Sequence, residues 1–428
     1  MKRIAVCCLW AIVIAASSST VTANVPPEVA QYANLRAAGD EEAAAALVAE
    51  IRSEGPARLE ALLAARDALV DPIFLVEIPD VIELPQELHD LHALIDAVGG
   101  QRYCTHSRLF WHTDLTSAQR AATESGKPIL SLRMLGKLTD ELSCANSRFF
   151  RTTLYANREI SDLLRERFVL HWETVRPVPV MTVDFGDGRR IVRTITGNSA
   201  HYVLDEQARP IDVLPGLHSP KAFQDWLIAT DELAGQLAEC CSRSRGDVLA
   251  AYHRSRLDAI TTGWRTDLES LGLVTPRPTE DDPDPAAIER VALSELMTDE
   301  IWAACGALHR DDVALDESTR SLIRREQPAL PATRIAMTKA RIEMPMLGAL
   351  FEQLENSVAV DTIRNEYELH SQIHEWYLTG GVDDSVAVLN ERVYAELFLM
   401  PADDEWLGLV DPDVYTGVTN AGIVYDAP

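Results

Sequence analysis

Apolar residues recur at three- and four-residue spacing at both ends of the chain, whereas short, nearly continuous apolar runs gather in the middle. In the first part, Glu41–Ile51 and Ala57–Leu69 join helical spacing to Ala, Leu, Glu and Arg, which cost least in a helix. Gly39 and Gly55-Pro56 punctuate them; Pro72, Pro79 and Pro85 break up an extended stretch, and Gln86–Val98 reads as a helix ending at Gly99-Gly100. In the middle, Trp111–Ser125 predicts a helix stopped by Gly126. A buried strand follows at Ile129–Leu135, then a helix opened by Cys144, a helix at Glu159–Arg167 and a strand at Phe168–Glu173. Phe185-Gly-Asp-Gly188 predicts a hairpin, since Asp-Gly supplies the positive φ of a tight turn. Strands at Ile191–Thr196, His201–Leu204 and Ile211–Leu214 precede a closing helix, Pro220–Leu233. The last part reads as helices at Ala286–Leu308, Ser318–Arg325, Arg334–Ile342, Met346–Tyr377 and Val386–Phe398, with an irregular tail from Pro401. No internal repeat is present.

This pattern divides the chain into a signal-like segment (1–23), a helical N-terminal region (24–107), an α/β domain (108–233) and a mainly helical C-terminal region (234–428). A Pro/Asp-rich loop, Val274–Pro285, interrupts the last of these; its composition buries little. The opening MKRIAVCCLWAIVIAASSSTVTA has the basic start, apolar run and small-residue end of a signal peptide cut after Ala23. Its apolar run falls short of the roughly 18 residues a membrane span needs, so a secreted or periplasmic location and no stable membrane anchor are expected.

Charge narrows the partners. No Asp or Glu precedes residue 24, so loss of Lys2 and Arg3 takes the formal charge from −27 to −29. Such a surface repels nucleic acid and anionic lipid and suits a small ligand or a basic protein partner. Cys104, Cys144, Cys240, Cys241 and Cys305 remain after cleavage, an odd set that leaves at least one thiol outside internal pairing.

Cys144 is the first candidate for chemistry. A helix N-terminus, with Arg148 in its first turn, stabilises a thiolate, and Ser147 is placed to cap the helix. A buried inert thiol or a disulfide with Cys104 are the alternatives at this position. His370 and His374 form a second candidate: four apart on one helical face, with Glu366 one turn earlier, they have the spacing of a metal or haem site or of ordinary helix packing. His89, His92, His106 and His112 are loosely spaced, and Asp184–Gly188 lacks the further ligands of a calcium loop. No Gly-rich phosphate loop and no Gly-x-Ser-x-Gly elbow occurs, and no cofactor is expected.

Over Trp111–Leu233, the order of strand, Cys144 helix, helix, strand, hairpin and strand resembles the thioredoxin-like fold. The likeness is to domains that begin Gly-Lys-Pro-Ile, here Gly126–Ile129, and carry Cys-x-x-Cys before a helix ending in Phe-Val, here Phe168-Val169. The resemblance puts Cys144 on the first cysteine and Ser147 on the second, so Cys-x-x-Cys is Cys144-Ala-Asn-Ser147. Serine cannot close on a mixed disulfide, and the pattern is similar to monothiol glutaredoxins. Ser199 stands where that family carries a cis-proline; a cis bond before a non-proline residue costs about 3 kcal/mol, so a trans bond is expected. Gly136–Ser143 is inserted before the cysteine, and Asn146, Asn198 and Ser199 would line the same small surface. The expected fold class is therefore α/β, a central thioredoxin-like domain flanked by mainly helical N- and C-terminal regions. Three functions follow: an exported monothiol thiol-disulfide oxidoreductase acting through Cys144 on a protein or small-thiol disulfide, a redox-inactive thioredoxin-like scaffold or binding protein, or metal or haem binding through His370 and His374.

Overall fold

A computed structural model describes residues 25–74, 85–195, 197–241, 243–275, 277–279, 284–326, 336–407, 409–410 and 415–424. The signal-like segment, most of the proposed extended stretch before Gln86 and part of the Pro/Asp-rich loop lie outside them.

Seven consecutive buried residues, Ile129–Leu135, explain the architecture. A strand apolar on both faces is stable only when neighbours pair with both edges and helices cover both faces. In chain order the strands are β1 (Trp111–His112), β2 (Ile129–Leu135), β3 (Val169–Arg176), β4 (Val180–Asp184), β5 (Arg190–Thr194), β6 (Ser199–Leu204) and β7 (Pro210–Pro215). Five form one sheet, ordered β1-β3-β2-β6-β7, with β2 central. β3 pairs parallel to β1 and β2, while β6 runs antiparallel to β2 and to β7. The parallel β2–β3 crossover passes through Ala145–Phe149, a π turn at Phe150–Leu154 and the helix Arg158–Arg167. Among the described residues helix far outweighs strand, 61% against 11%, because helical regions precede and follow the segment that builds this one sheet.

The cores show where each region belongs. Val29, Leu62, Leu91, Ile95 and Cys104 make a separate core for the N-terminal helices. One face of the sheet buries Leu130, Leu132, Cys144, Phe150 and Phe223 together with Val358, Tyr394 and Met400 from the C-terminal region. The other face packs Ile129, Tyr202 and Val213 against Trp376, Leu389 and Val393. The C-terminal helices are therefore part of the sheet's own core. A fourth core, around Trp264, Trp302 and Tyr367, is helical throughout.

Several sequence expectations are corrected. Trp111–His112 is an edge strand and the helix begins only at Leu115, because Asp114 accepts the backbone N–H groups of Thr116 and Ser117 as its cap. The helix Pro56–Phe74 runs through Pro72, which sits in its last turn. Ala286–Leu308 is two helices, Pro285–Ser294 and Asp299–Leu308, the second restarted by a Thr298 cap. The two helices expected between Arg334 and Tyr377 are one, Ala336–Arg364, which continues through a π turn at Asn365–His370 into Ser371–Leu378. The hairpin forms as β4–β5, a two-stranded sheet of its own.

Candidate functional site

Cys144 precedes the short helix Ala145–Phe149 as its cap residue, and its side chain has no exposed surface. It belongs to the core that also holds Phe150, Tyr155 and Tyr394. All five cysteines of the described chain are free, so Cys104 and Cys144 are unbridged; the Cys104 thiol is buried and directed at the Leu109 carbonyl. Ser147 does not cap the helix. It lies a turn inside, buried, with Oγ 2.8 Å from Ser143 Oγ and 2.9 Å from the Cys144 carbonyl oxygen. The half-buried Arg148 meets Cys144 through its backbone, its N–H donating to the Cys144 carbonyl at 3.2 Å.

Around the cysteine, the remaining expected residues separate into two levels. Asn146 and Asn198 line one hollow of about 280 Å³ with Gly216, Asn365 and Leu399. Ser199 lies beneath it, fully buried at the start of β6, its Oγ without a hydrogen-bond partner. No peptide bond among the described residues is cis. Chain from the far C-terminal region covers this ground: Tyr394 Oη donates to the Asn198 carbonyl at 3.1 Å, and Asn198 Nδ2 lies 3.0 Å from Met400 Sδ.

A dense grouping of titratable side chains lies at β7, and its centre was not singled out by sequence. Asp212 is wholly buried in a strand that is otherwise apolar. Its Oδ1 accepts the Val213 N–H at 2.8 Å, and its Oδ2 accepts Trp226 Nε1–H at 3.0 Å and Tyr252 O–H at 2.9 Å. His253, on the helix Arg245–Ser270, approaches from one side and His374, on Ser371–Leu378, from another. Their Nδ1 atoms are 2.8 Å apart. His253 Nε2 is 3.1 Å from the Ile211 carbonyl, which can only accept, so that nitrogen carries the proton. Burial pushes the His253 pKa down to about 4, so the ring is neutral and its Nδ1 accepts from His374 Nδ1–H. The His374 Nε2 lone pair then has no hydrogen-bond partner, and burial followed by the His370 charge holds that ring far below its usual pKa.

His370 and His374 do share a face, with ring centroids 4.2 Å apart, and Glu366 joins them as the spacing predicts. Yet their surroundings differ. His370 Nδ1 donates to Glu366 Oε2 at 2.8 Å, and its Nε2 faces Asp212 Oδ2 at 3.6 Å, an ion-pair distance too long for a hydrogen bond. Burial disfavours its charge, but Glu366 and Asp212 outweigh that and raise its pKa to about 9. Burial likewise opposes the Asp212 charge, and the surrounding histidines, His370 foremost, more than offset it. The three groups whose donor atoms all lie within 4.8 Å of one another are Asp212, His253 and His374, so of the expected pair only His374 belongs to the trio. An aspartate inside Ile211–Leu214 was the available signal, since a buried carboxylate needs partners.

The β4–β5 hairpin carries another exposed feature. Val180, Met181, Val183, Phe185, Ile191 and Val192 are all exposed, Val180 and Phe185 by about half. Asp184 and Asp187 at its turn pair with Arg190 and Arg189. Among the described residues no helix is long and apolar enough to cross a membrane. No protein-family model, no curated protein and no solved structure matches the chain.

Proposed function

We propose that this chain is an exported, thioredoxin-like protein that acts as a redox-silent binding scaffold. The observation that carries the reading is the burial of Cys144, whose side chain has no exposed surface. Disulfide exchange requires a thiolate to reach an outside sulfur in line, and a side chain fully buried in the core that holds Phe150, Tyr155 and Tyr394 offers no such approach. Ser147 in place of a resolving thiol supports the same reading. The thioredoxin-like assignment draws support from a parallel pair, β2 and β3, joined through the Cys144 helix and extended by two antiparallel strands. The apolar hairpin β4–β5 is the surface on which a protein partner would be met, since exposed clustered apolar residues on an otherwise acidic chain mark contact surfaces.

Alkylation separates this from monothiol exchange. Iodoacetamide should modify Cys241 in the native protein and Cys144 only after urea unfolding, as read by peptide mass spectrometry. Modification of native Cys144 as fast as Cys241, or Cys144-dependent reduction of a glutathione mixed disulfide, would replace the scaffold reading with the enzyme.

A further inference from the structure

We propose that Asp212, His253 and His374 form a binding site for one divalent transition-metal ion of the zinc class. The inference goes beyond the scaffold reading and does not depend on it. Three separate elements deliver these side chains to one point: β7, the helix Arg245–Ser270 and the helix Ser371–Leu378.

The His253–His374 contact is the central observation. Two imidazole nitrogens face each other at 2.8 Å with one proton between them. A tetrahedral ion bonded at about 2.0–2.1 Å to each would hold them about 3.3 Å apart, so an ion takes the place of that proton with ring shifts of about 0.5 Å while the proton moves to His374 Nε2. The groups behind the donors have the arrangement that orients metal ligands. His253 gives its other N–H to the Ile211 carbonyl, and the Asp212 carboxylate is held by Val213 N–H, Trp226 and Tyr252. His370 stands beside the trio, its Nδ1–H on the Glu366 carboxylate and its Nε2, without a hydrogen-bond partner, 3.6 Å from Asp212 Oδ2, so it backs the carboxylate and is not one of the donors. His374 Nε2 is a second unpartnered nitrogen in the same interior. Two imidazoles with one carboxylate and no thiolate suit zinc, cobalt(II), nickel or copper(II), and suit calcium and magnesium poorly. Complete burial of all three donors makes the site closed, as structural sites are.

The competing account is a proton-shared hydrogen-bonded clamp that never meets an ion. The two separate by cobalt(II) titration of the full chain, carried without a histidine tag and stripped with chelator. Cobalt is added to the folded protein and also during refolding from urea, because a closed site admits an ion slowly. One equivalent with the visible absorption of tetrahedral cobalt, displaced by zinc, and a rise in Tm with excess zinc are expected. His253→Gln and His374→Gln should weaken binding at least tenfold, while the exposed His89→Gln leaves it unchanged. Absence of both the absorption and the Tm rise in the unaltered protein overturns the proposal whatever the variants do. Binding that persists undiminished in folded His253→Gln and His374→Gln protein places the ion elsewhere and overturns it equally.

Discussion

His253 and His374 meet Nδ1 to Nδ1 at 2.8 Å although 121 residues separate them. This contact ties the helix Arg245–Ser270 to the helix Ser371–Leu378 directly beneath β7. In metal-free protein, truncating either ring leaves a buried polar group unpaired, which costs about 1–3 kcal/mol. A double-mutant cycle of His253→Ala and His374→Ala should therefore be non-additive, the pair costing less than the two singles combined by about 1 kcal/mol or more. Urea midpoints measure it, and strictly additive losses would show that the two rings do not depend on each other.

The neutral histidines of the sheet make the fold acid-labile. Burial, followed by the charge of Arg133, lowers His171 to about 3, and burial followed by His218 lowers His201 to about 3. Because the unfolded rings protonate near 6.5 and the folded ones do not, this stability is fully present above about pH 6.5 and is lost as pH falls toward 3. Each fully buried ring contributes on the order of 4 kcal/mol over that interval. Asp96 works the other way: burial raises its carboxyl to about 6, so its contribution is present below its unfolded pKa and is lost as pH rises through 6. The two histidines outweigh the one carboxyl, so the urea midpoint should fall between pH 6.5 and 4. His201→Gln should flatten that slope, and an unchanged midpoint across the interval would contradict the burial of neutral rings.

Two glycines in helices should respond to alanine with opposite signs. A Cβ on Gly306 would lie 2.6 Å from Val360 Cγ2 and 3.0 Å from Val360 backbone atoms, where Asp299–Leu308 crosses Ala336–Arg364. Overpacking there costs about 1–3 kcal/mol, more than the roughly 1 kcal/mol alanine gains in a helix. On Gly263 the nearest atom, Tyr367 Oη, is 3.5 Å away, an ordinary contact. Gly306→Ala should lower Tm and Gly263→Ala should raise it or leave it unchanged; a rise in both would mean the helix crossing is looser than it is drawn.

These contrasts also show what the sequence conveyed. Ile129–Leu135 was legible because a run apolar on both faces has one solution, a central strand, and the structure gives the same seven residues. Glu366, His370 and His374 were legible as one face because helical spacing is local. His253 was not: nothing near it in the chain marks it, and its meaning comes from a partner 121 residues away. Trp111–His112 was misread as helix because a two-residue strand has no periodicity and takes its conformation from β3. The cover over Cys144 was equally hidden, since Tyr394 and Met400 come from a C-terminal segment that looked independent of the sheet.

The hairpin should behave as a contact surface detachable from folding. Among the described residues its strands pair only with each other, and most of their apolar side chains lie in solvent. Replacing Val180, Phe185 and Ile191 together by Thr, Ser and Thr should shift global stability by less than about 1 kcal/mol, as exposed substitutions do. The same variant should lose most of the bis-ANS fluorescence that the unaltered protein shows. Large destabilisation without loss of dye binding would place these residues in the core and the sticky surface elsewhere.

Removal of Tyr394 should open the way to Cys144. Tyr394 is buried, shares a core with the cysteine and donates to the Asn198 carbonyl, so it fastens the C-terminal segment over the start of β6. Tyr394→Phe removes only the hydroxyl's hydrogen bonds, to the Asn198 carbonyl and, longer, to the Arg133 carbonyl, at about 1 kcal/mol, and should leave Cys144 protected. Tyr394→Ala empties an aromatic site, at about 3–5 kcal/mol, and should speed alkylation of Cys144 at least tenfold. Cys104 and Cys305, buried in other cores, serve as internal controls. If they stay protected while Cys144 reacts, the C-terminal segment opens locally. Parallel reaction of all three means that the substitution acts by global unfolding, and continued protection of Cys144 in folded Tyr394→Ala protein means that some other group covers the thiol.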